Sequence, residues 1–168
     1  MKNDILIAYY SWHGNTRRIA KLIERETGGT LFEIEPARPY TTDYQAVVQQ
    51  AKKEIQAGFR PELKAMPEST SYEVLFLGTP IWWHTLVPPL AAFIDRCDLN
   101  RKTVVPFLTH GGGGSGSFEK DITRMNGTAV SNPFKLTMLC FSNFCSVSIA
   151  WVVHERIVLS SPLEETGF

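Results

Sequence analysis

The chain has few cysteines, and none of them is spaced for a metal site or a disulfide framework. Three occur among 168 residues, Cys97, Cys140 and Cys145, and no Cys-x-x-Cys motif is present. An odd number of cysteines without paired spacing is typical of reduced thiols in a reducing compartment. We therefore expect a cytoplasmic protein whose cysteines are reduced and mostly buried, and cysteine-based redox catalysis is disfavoured.

An excess of charge is also missing. The sequence has 17 basic and 17 acidic residues, whereas binding to nucleic acid or to an anionic membrane requires a clustered excess of positive charge. The first apolar run, residues 4–10, is followed at once by polar residues and is too short for a signal sequence or a membrane span. The sequence therefore predicts no nucleic-acid partner and no association with a membrane.

Two common nucleotide-binding motifs are missing behind this first apolar run. The segment has neither the Gly-x-Gly-x-x-Gly pattern of dinucleotide sites nor the lysine of the P-loop, which disfavours a dinucleotide or a nucleoside triphosphate there. It consists instead of Ser11-Trp12-His13-Gly14-Asn15-Thr16, placed between a predicted strand and a predicted helix.

This hexapeptide has the chemistry of a phosphate-binding loop. The first N–H groups of a helix are unpaired and lie at its positive end, so they attract anions. Ser11 and Thr16 add hydroxyl donors, Gly14 lets the backbone approach closely, and Asn15 tolerates unusual dihedral angles. The sequence leaves an alternative open, because the same residue types favour ordinary helix caps and turns.

Strand-like and helix-like periodicities alternate along the chain, which is typical of a parallel sheet with helices on both faces. A chain of 168 residues suits one domain. The predicted strands are residues 4–10, 31–35, 73–78, 103–109 and 135–141. The predicted helices cover 15–27, a stripe from Tyr44 to Ile55, the stretch from Leu86 to Cys97, a segment around Phe118 to Met125, and 147–159.

Two further loops follow the third and fourth strands, and ligands bind at this edge of such sheets. Residues 79–85 form a predicted loop with two tryptophans, and residues 109–116 contain a run of glycines with many N–H groups. With the phosphate loop, they suit a flat, phosphorylated heteroaromatic ligand. We favour Trp82 as the stacking residue, while one tryptophan of the pair is expected to belong to the core.

Three histidines fall on these loops, one on each: His13, His84 and His110. No carboxylate or cysteine accompanies them, because the three loops contain no Asp, Glu or Cys. Metal sites usually combine such ligands, so we expect no metal and assign the histidines to loop hydrogen bonding or to proton exchange at a ligand. His154, in the C-terminal segment, is expected to be structural.

Three motifs in order resemble the flavodoxin family, and in particular its branch with a Trp-Trp or Tyr-Trp loop. They are residues 9–17, residues 78–83 followed by Pro88, Phe93 and Ile94, and residues 107–116; residues 32–36 and 51–54 are similar as well. The resemblance covers residues 4–125 of a single domain, 1–168. It implies an α/β flavodoxin-like three-layer sandwich with a parallel five-stranded sheet in the order 2-1-3-4-5 and an atypical C-terminal segment.

The resemblance also implies bound FMN. The phosphate would be held by Ser11, His13, Gly14, Asn15 and Thr16. The isoalloxazine ring would be lined by Thr79, Pro80, Ile81, Trp82 and Trp83, and its pyrimidine side would meet His110, Gly111, Gly112 and Gly113. No catalytic residue is assigned, since the cofactor itself supplies redox chemistry.

The resemblance predicts an electron-transfer flavoprotein of flavodoxin type. One alternative is an FMN-dependent reductase that uses a nicotinamide donor and quinone-like acceptors, and a second is a non-redox binding module for another phosphorylated ligand. A redox protein or a small nicotinamide or quinone-like molecule is the expected partner. Lys135 is the only charged residue between positions 126 and 153, so an apolar C-terminal helix makes a homodimer reasonable.

Two departures from electron-carrying flavodoxins are visible. Such carriers are typically acidic around the flavin, whereas the three loops here have no acidic residue. In flavodoxins a peptide after the third strand generally flips to stabilise the semiquinone, and glycine eases that flip. No glycine lies between Thr79 and Leu86, so we expect a poorly stabilised semiquinone and pairwise electron transfer.

Overall fold

The computed structural model describes residues 4–68, 71–99, 102–125 and 139–142. Helices and strands alternate along these residues. They are β1 (Ile5–Tyr9), α1 (Asn15–Thr27), β2 (Thr30–Glu33), α2 (Tyr44–Gln56), β3 (Val74–Trp82), β4 (Thr85–Leu86), α3 (Pro88–Ile94), β5 (Thr103–His110), α4 (Phe118–Met125) and β6 (Leu139–Ser142). The helix predicted at 147–159, Cys145 and His154 lie outside the described residues.

Five strands form a parallel sheet in the order β2-β1-β3-β5-β6. This order is the predicted one, with β6 covering the end of the predicted fifth strand. The expectation of a wholly parallel sheet is corrected, because β4 pairs antiparallel with the end of β3. The flavodoxin-like α/β class itself is confirmed.

The sheet is covered on both faces by apolar side chains of the helices. One core cluster packs Leu90 and Phe93 of α3 and Ile122 of α4 against the sheet, and these side chains are almost fully buried. The other packs Ile19 and Ile23 of α1 on the opposite face. Burying side chains of this size contributes about 1.5–3 kcal/mol each, so the two clusters fix the strands whose ends carry the loops.

Local sequence signals explain the helix ends. Helix α1 begins after Gly14 at φ 90° and ends at Gly28 at φ 68°, a conformation that glycine adopts without steric penalty. The Asp43 carboxylate accepts the N–H of Ala46 at 2.7 Å and caps α2. Two prolines occupy the first turn of α3, where a missing N–H costs nothing.

Gly78 lies in β3 where β1 and β5 approach it from either side. A Cβ at this position would collide with the ring of Phe107 on β5 and would lie 2.7 Å from Cβ of Tyr9. The residue is therefore required for space, and it fixes the position of β3 immediately before the segment that carries the tryptophans. In the part of the chain that the structure describes, no helix is long and apolar enough to cross a bilayer.

Candidate functional site

The loops that follow β1, β3 and β5 converge on one cavity of about 640 Å³. Most of the predicted site residues line it: Ser11, His13, Asn15, Thr16, Pro80, Ile81, Trp82, Trp83, His110, Gly111 and Gly113. Gly14, Thr79 and Gly112 do not. Thr79 is completely buried, and its hydroxyl donates to the Pro80 carbonyl.

Sequence reasoning missed one wall of this cavity. Four residues of α2 line it, Tyr44, Val47, Val48 and Ala51, as do Trp12, His84, Thr109 and Gly114. The spacing of the α2 residues had indicated a shared helical face. Such a stripe is usually part of the core, and periodicity alone does not distinguish a core face from a cavity wall.

The loop after β1 presents backbone N–H groups at the start of α1. The Ser11 hydroxyl oxygen accepts the N–H of Gly14 at 3.1 Å and the N–H of Arg17 at 3.2 Å. Within the described residues, the N–H groups of Asn15 and Thr16 have no hydrogen-bond partner. These donors lie at the positive end of the helix, which suits an anion.

Arg17 is the first basic residue of α1, and its side chain is bound to Glu33 at the end of β2. The two groups form a forked ion pair at 2.5 and 3.1 Å, and the Tyr9 hydroxyl donates to the same carboxylate at 3.3 Å. The hydrogen bond to Glu33 raises the pKa of Arg17 further, and burial raises the pKa of Tyr9. The guanidinium charge of Arg17 is therefore compensated by Glu33, and Arg17 does not line the cavity.

The two tryptophans occupy different environments. Residues 79–82 continue β3 instead of forming the predicted loop, and Trp82 is half-buried among other rings. Its ring centroid lies 5.2 Å from that of Tyr40, 5.8 Å from that of Tyr10 and 6.1 Å from that of Trp12, all edge to face. Such aromatic pairs each contribute about 0.5–1.5 kcal/mol beyond burial.

Trp83, by contrast, is 45% exposed at the rim of the cavity. Its indole N–H donates to the Val48 carbonyl of α2 at 3.0 Å. The Lys52 ammonium lies 4.8 Å from its ring centroid, a cation–π distance. The ring is therefore anchored at its edge by α2 while much of its surface stays accessible.

Trp83 and His84 form the turn between β3 and β4, and both have positive φ, 49° and 63°. Two-residue hairpins with positive φ at both central positions usually contain Asn or Gly. For other residues this conformation costs about 1–2 kcal/mol each. The absence of glycine between Thr79 and Leu86 does not prevent the conformation, so contacts elsewhere must hold it.

The beginning of α4 supplies those contacts. The His84 carbonyl accepts the N–H of Ser117 at 2.7 Å and its hydroxyl at 3.2 Å. The Asp121 carboxylate accepts the hydroxyls of Ser117 and Thr85, each at 2.5 Å. Gly116 has φ 60° and packs so closely on the His84 carbonyl that a Cβ would collide with it. We call Gly116, Ser117 and Asp121 the α4 clamp.

The glycine loop after β5 is organised by His110. Its Nδ1 accepts the N–H of Gly112 at 3.0 Å and that of Gly114 at 3.2 Å. A ring nitrogen that accepts these bonds carries no proton. The N–H groups of Gly111 and Gly113 receive no partner within the described part of the chain, which leaves them available to a ligand.

No group of three or more His, Cys, Asp or Glu side chains among the described residues is arranged to hold a metal ion. The cavity instead combines unpaired N–H groups, hydroxyls and aromatic rings, and none of its lining residues is acidic or carries Lys or Arg. Such a lining can hold a flat ligand with a phosphate group.

The family model described as Flavodoxin matches residues 4–152. A crystal structure assigned as a flavoprotein from Bacteroides eggerthii is 31% identical, with a TM-score of 0.71 over 83% of this chain and 87% of that one. One similarly assigned from Bacteroides uniformis is 29% identical, with a TM-score of 0.71 over 83% and 90%.

A flavoprotein from Lactobacillus acidophilus, solved in complex with FMN, shares the fold. It is 22% identical, with a TM-score of 0.67 over 82% of this chain and 91% of that one. No curated protein matches the chain.

Proposed function

The chain belongs to the flavodoxin family, and we propose that it is an electron-transfer flavoprotein that binds FMN in the cavity at the carboxyl ends of β1, β3 and β5. The observation that carries this proposal is the convergence of the three predicted loops on one cavity with neutral, polar and aromatic walls. The Lactobacillus acidophilus relative with the same fold is in complex with FMN, and FMN is the cofactor of this chain.

The donors at the start of α1 fit the phosphate of FMN. Two N–H groups at the positive helix end, those of Asn15 and Thr16, are unpaired among the residues that the structure describes. The Ser11 hydroxyl organises the turn around them. Since Arg17 is paired with Glu33, the phosphate would be held by backbone dipoles and hydroxyls.

The opposite walls fit a flat heteroaromatic ring. Trp83, Ile81 and Val48 offer apolar surface, and the N–H groups of Gly111 and Gly113, which bond to no other described residue, can meet the ring's polar atoms. Bound FMN supplies the redox chemistry. The chain binds and orients it, and its apolar walls exclude water from one side, which disfavours charge on the reduced ring.

We assign stacking on the ring to Trp83 in preference to Trp82. The supporting contrast is that Trp82 packs edge-on against three aromatic neighbours, whereas Trp83 keeps 45% of its surface exposed at the cavity rim. A ring that is already surrounded has little face left for a ligand.

A second candidate function is reduction of quinone-like acceptors by a nicotinamide donor. The cavity continues past the three loops onto the α2 face formed by Tyr44, Val47, Val48 and Ala51. Tyr44 is 64% exposed there. This additional apolar wall gives room for a second flat molecule, as a reductase requires.

Titration with FMN, FAD and riboflavin, followed by visible absorption and flavin fluorescence, tests the proposal. FMN is expected to bind more tightly than riboflavin because only FMN engages the start of α1. Equal affinity for FMN and riboflavin would contradict the proposed phosphate site. Absence of any flavin binding would favour the alternative of a non-redox binding module. Steady-state oxidation of NADH or NADPH with and without a quinone then separates the reductase from the carrier.

A further inference from the structure

Behind the cavity wall lies a chain of oxidisable aromatic side chains. Trp82 lines the cavity, and its ring centroid is 5.2 Å from that of Tyr40 at an interplanar angle of 82°. Tyr10 also contacts Trp82, at 5.8 Å. Trp82 therefore has two tyrosine neighbours at similar distances.

The two tyrosines differ in what their hydroxyls contact. The Tyr40 hydroxyl donates a short hydrogen bond to Oε2 of Glu54. The side-chain amide of Gln50 donates to Oε1 of the same carboxylate at 2.8 Å, which orients it. The Tyr10 hydroxyl has no hydrogen-bond partner within the described residues, although its ring is buried.

This difference matters because a phenol becomes strongly acidic when it loses an electron, so its oxidation is easy only where a base can take the proton. Glu54 is such a base for Tyr40, to which it is directly hydrogen-bonded, whereas the Tyr10 hydroxyl donates to no carboxylate among the described residues. Burial and the neighbouring Glu54 raise the pKa of Tyr40, which keeps its proton in place until oxidation occurs. Burial likewise raises the pKa of Tyr10.

We propose that Trp82, Tyr40 and Glu54 form a relay that carries an oxidising equivalent from the cavity to α2. A one-electron oxidant at the cavity, such as a photoexcited flavin or a small oxidising radical, takes one electron from Trp82. Tyr40 returns one electron to Trp82 and passes its hydroxyl proton to Glu54, which leaves a neutral tyrosyl radical and a protonated carboxyl group. A thiol or ascorbate then supplies one electron, and the proton returns to Tyr40.

Such a relay would protect the cavity wall from oxidative damage. A tryptophan radical that persists reacts irreversibly, whereas a tyrosyl radical at a partly exposed residue can be reduced by a dissolved thiol or ascorbate. Glu54 and Tyr40 are both partly exposed, so small reductants can reach them. The proposed relay does not depend on the identity of the cofactor.

Pulse radiolysis of the full chain without added flavin tests the relay, with azide radicals as the oxidant. In the wild type we expect the tryptophan radical absorption to decay as the tyrosyl radical absorption rises, at a rate independent of protein concentration. Tyr40→Phe should abolish most of this rise. Glu54→Gln should slow it by about 100-fold, the usual scale of a lost proton acceptor.

Tyr10→Phe is the matched control, because it removes a hydroxyl at similar distance from Trp82 but without a carboxylate partner; the transfer rate should stay within about twofold of wild type. Tyr44→Phe is a second control. The ring centroids of Trp12 and Tyr44 lie 6.3 Å apart, and this variant shows whether transfer between these two residues contributes to the tyrosyl signal. Unchanged transfer in Tyr40→Phe, or equal losses in the Tyr10 and Tyr40 variants, would overturn the relay. Flavin titration of the same variants is independent, so failure of the proposed function would be seen separately.

Discussion

The hydroxyls of Thr16 and Thr109 lie 3.0 Å apart and join the first turn of α1 to the end of β5. Both residues are buried, with 1% and 6% of their surface exposed. A hydroxyl has one proton and two acceptor positions, so one threonine donates to the other and the second keeps its proton for another acceptor. The pair both holds the start of α1 against the end of β5 and retains one donor for a ligand.

Replacing Thr16 with Val tests the phosphate site. Loss of a hydroxyl that serves a charged acceptor costs about 1.5–3 kcal/mol, so FMN affinity should fall by about 10- to 100-fold. Riboflavin affinity should change much less, since it has no phosphate. Isothermal titration of both flavins measures the difference, and an equal loss for the two would mean that the phosphate lies elsewhere.

Alanine variants of the two tryptophans should differ in their free energy of unfolding and in their affinity for FMN. Trp82→Ala removes a ring packed against three others and should lower the free energy of unfolding by about 3–5 kcal/mol. Trp83→Ala should change stability by much less and lower FMN affinity instead. Urea unfolding of the flavin-free chain and flavin titration check both. If Trp83→Ala leaves FMN affinity intact, the sequence-based preference for Trp82 as the stacking residue would be restored.

The α4 clamp can be broken by adding one carbon. Gly116→Ala places a Cβ against the His84 carbonyl at a positive φ, which should cost about 1–3 kcal/mol of stability. Gly113→Ala is the matched control, because a Cβ there has nothing within 4 Å. Thermal unfolding compares the two, and similar melting temperatures would show that the turn does not depend on this contact.

Alkaline pH should destabilise the chain through Cys97. Burial raises the pKa of its thiol from 9.0 to about 11, and burial raises the pKa of neighbouring Tyr72 to about 12. Between pH 9 and 11 the folded chain therefore holds more protons than the unfolded chain, so stability is full below this window and falls as pH rises through it.

Urea unfolding at pH 8, 9, 10 and 11 measures this dependence, and Cys97→Ala should make the fall shallower. Cys97 also contributes to the raised pKa of Tyr72, so the variant removes both the thiol's own contribution and its effect on Tyr72. Identical pH profiles for the two would show that the thiol has the same pKa in the folded and unfolded chains.

The turn should also influence how flavin accepts electrons. The His84 carbonyl is held by two hydrogen bonds from Ser117, and turning that peptide toward the cavity would lose about 0.5–1.5 kcal/mol for each. We therefore expect closely spaced one-electron potentials. Stepwise anaerobic reduction with dithionite checks this, and accumulation of a one-electron-reduced flavin as the main species would favour the single-electron carrier.

Strong local signals made most of the fold predictable. Helix α1 was predicted at 15–27 and is observed at Asn15–Thr27, because its apolar face and its glycine boundaries agree. The sheet order followed from the resemblance, and the loops after β1 and β5 meet at the edge of the sheet where they were expected. The helix and the two loops depend on residues close together in sequence.

The remainder depends on contacts between distant residues. The β3–β4 hairpin has no glycine or asparagine at its turn, so its sequence lacks the usual signal. The turn is held by Ser117 and Asp121, which come more than 30 residues later in the chain, after β5. The α2 wall looked like an ordinary core stripe. The role of His110 Nδ1 toward Gly112 and Gly114 could not be inferred from composition, because glycine runs have no preferred hydrogen bonds of their own.

The fit between Gly78 and Phe107 has a consequence for how this sequence can change. Because the Phe107 ring fills the volume that a side chain at position 78 would need, a larger residue at 78 requires a smaller one at 107 beforehand, together with a shift of β1 at Tyr9, whose Cβ lies 2.7 Å from the same volume. The order of mutation is thereby restricted. The residues that follow Gly78 line the cavity, so relatives that carry both changes should also show compensating shifts in this cavity wall.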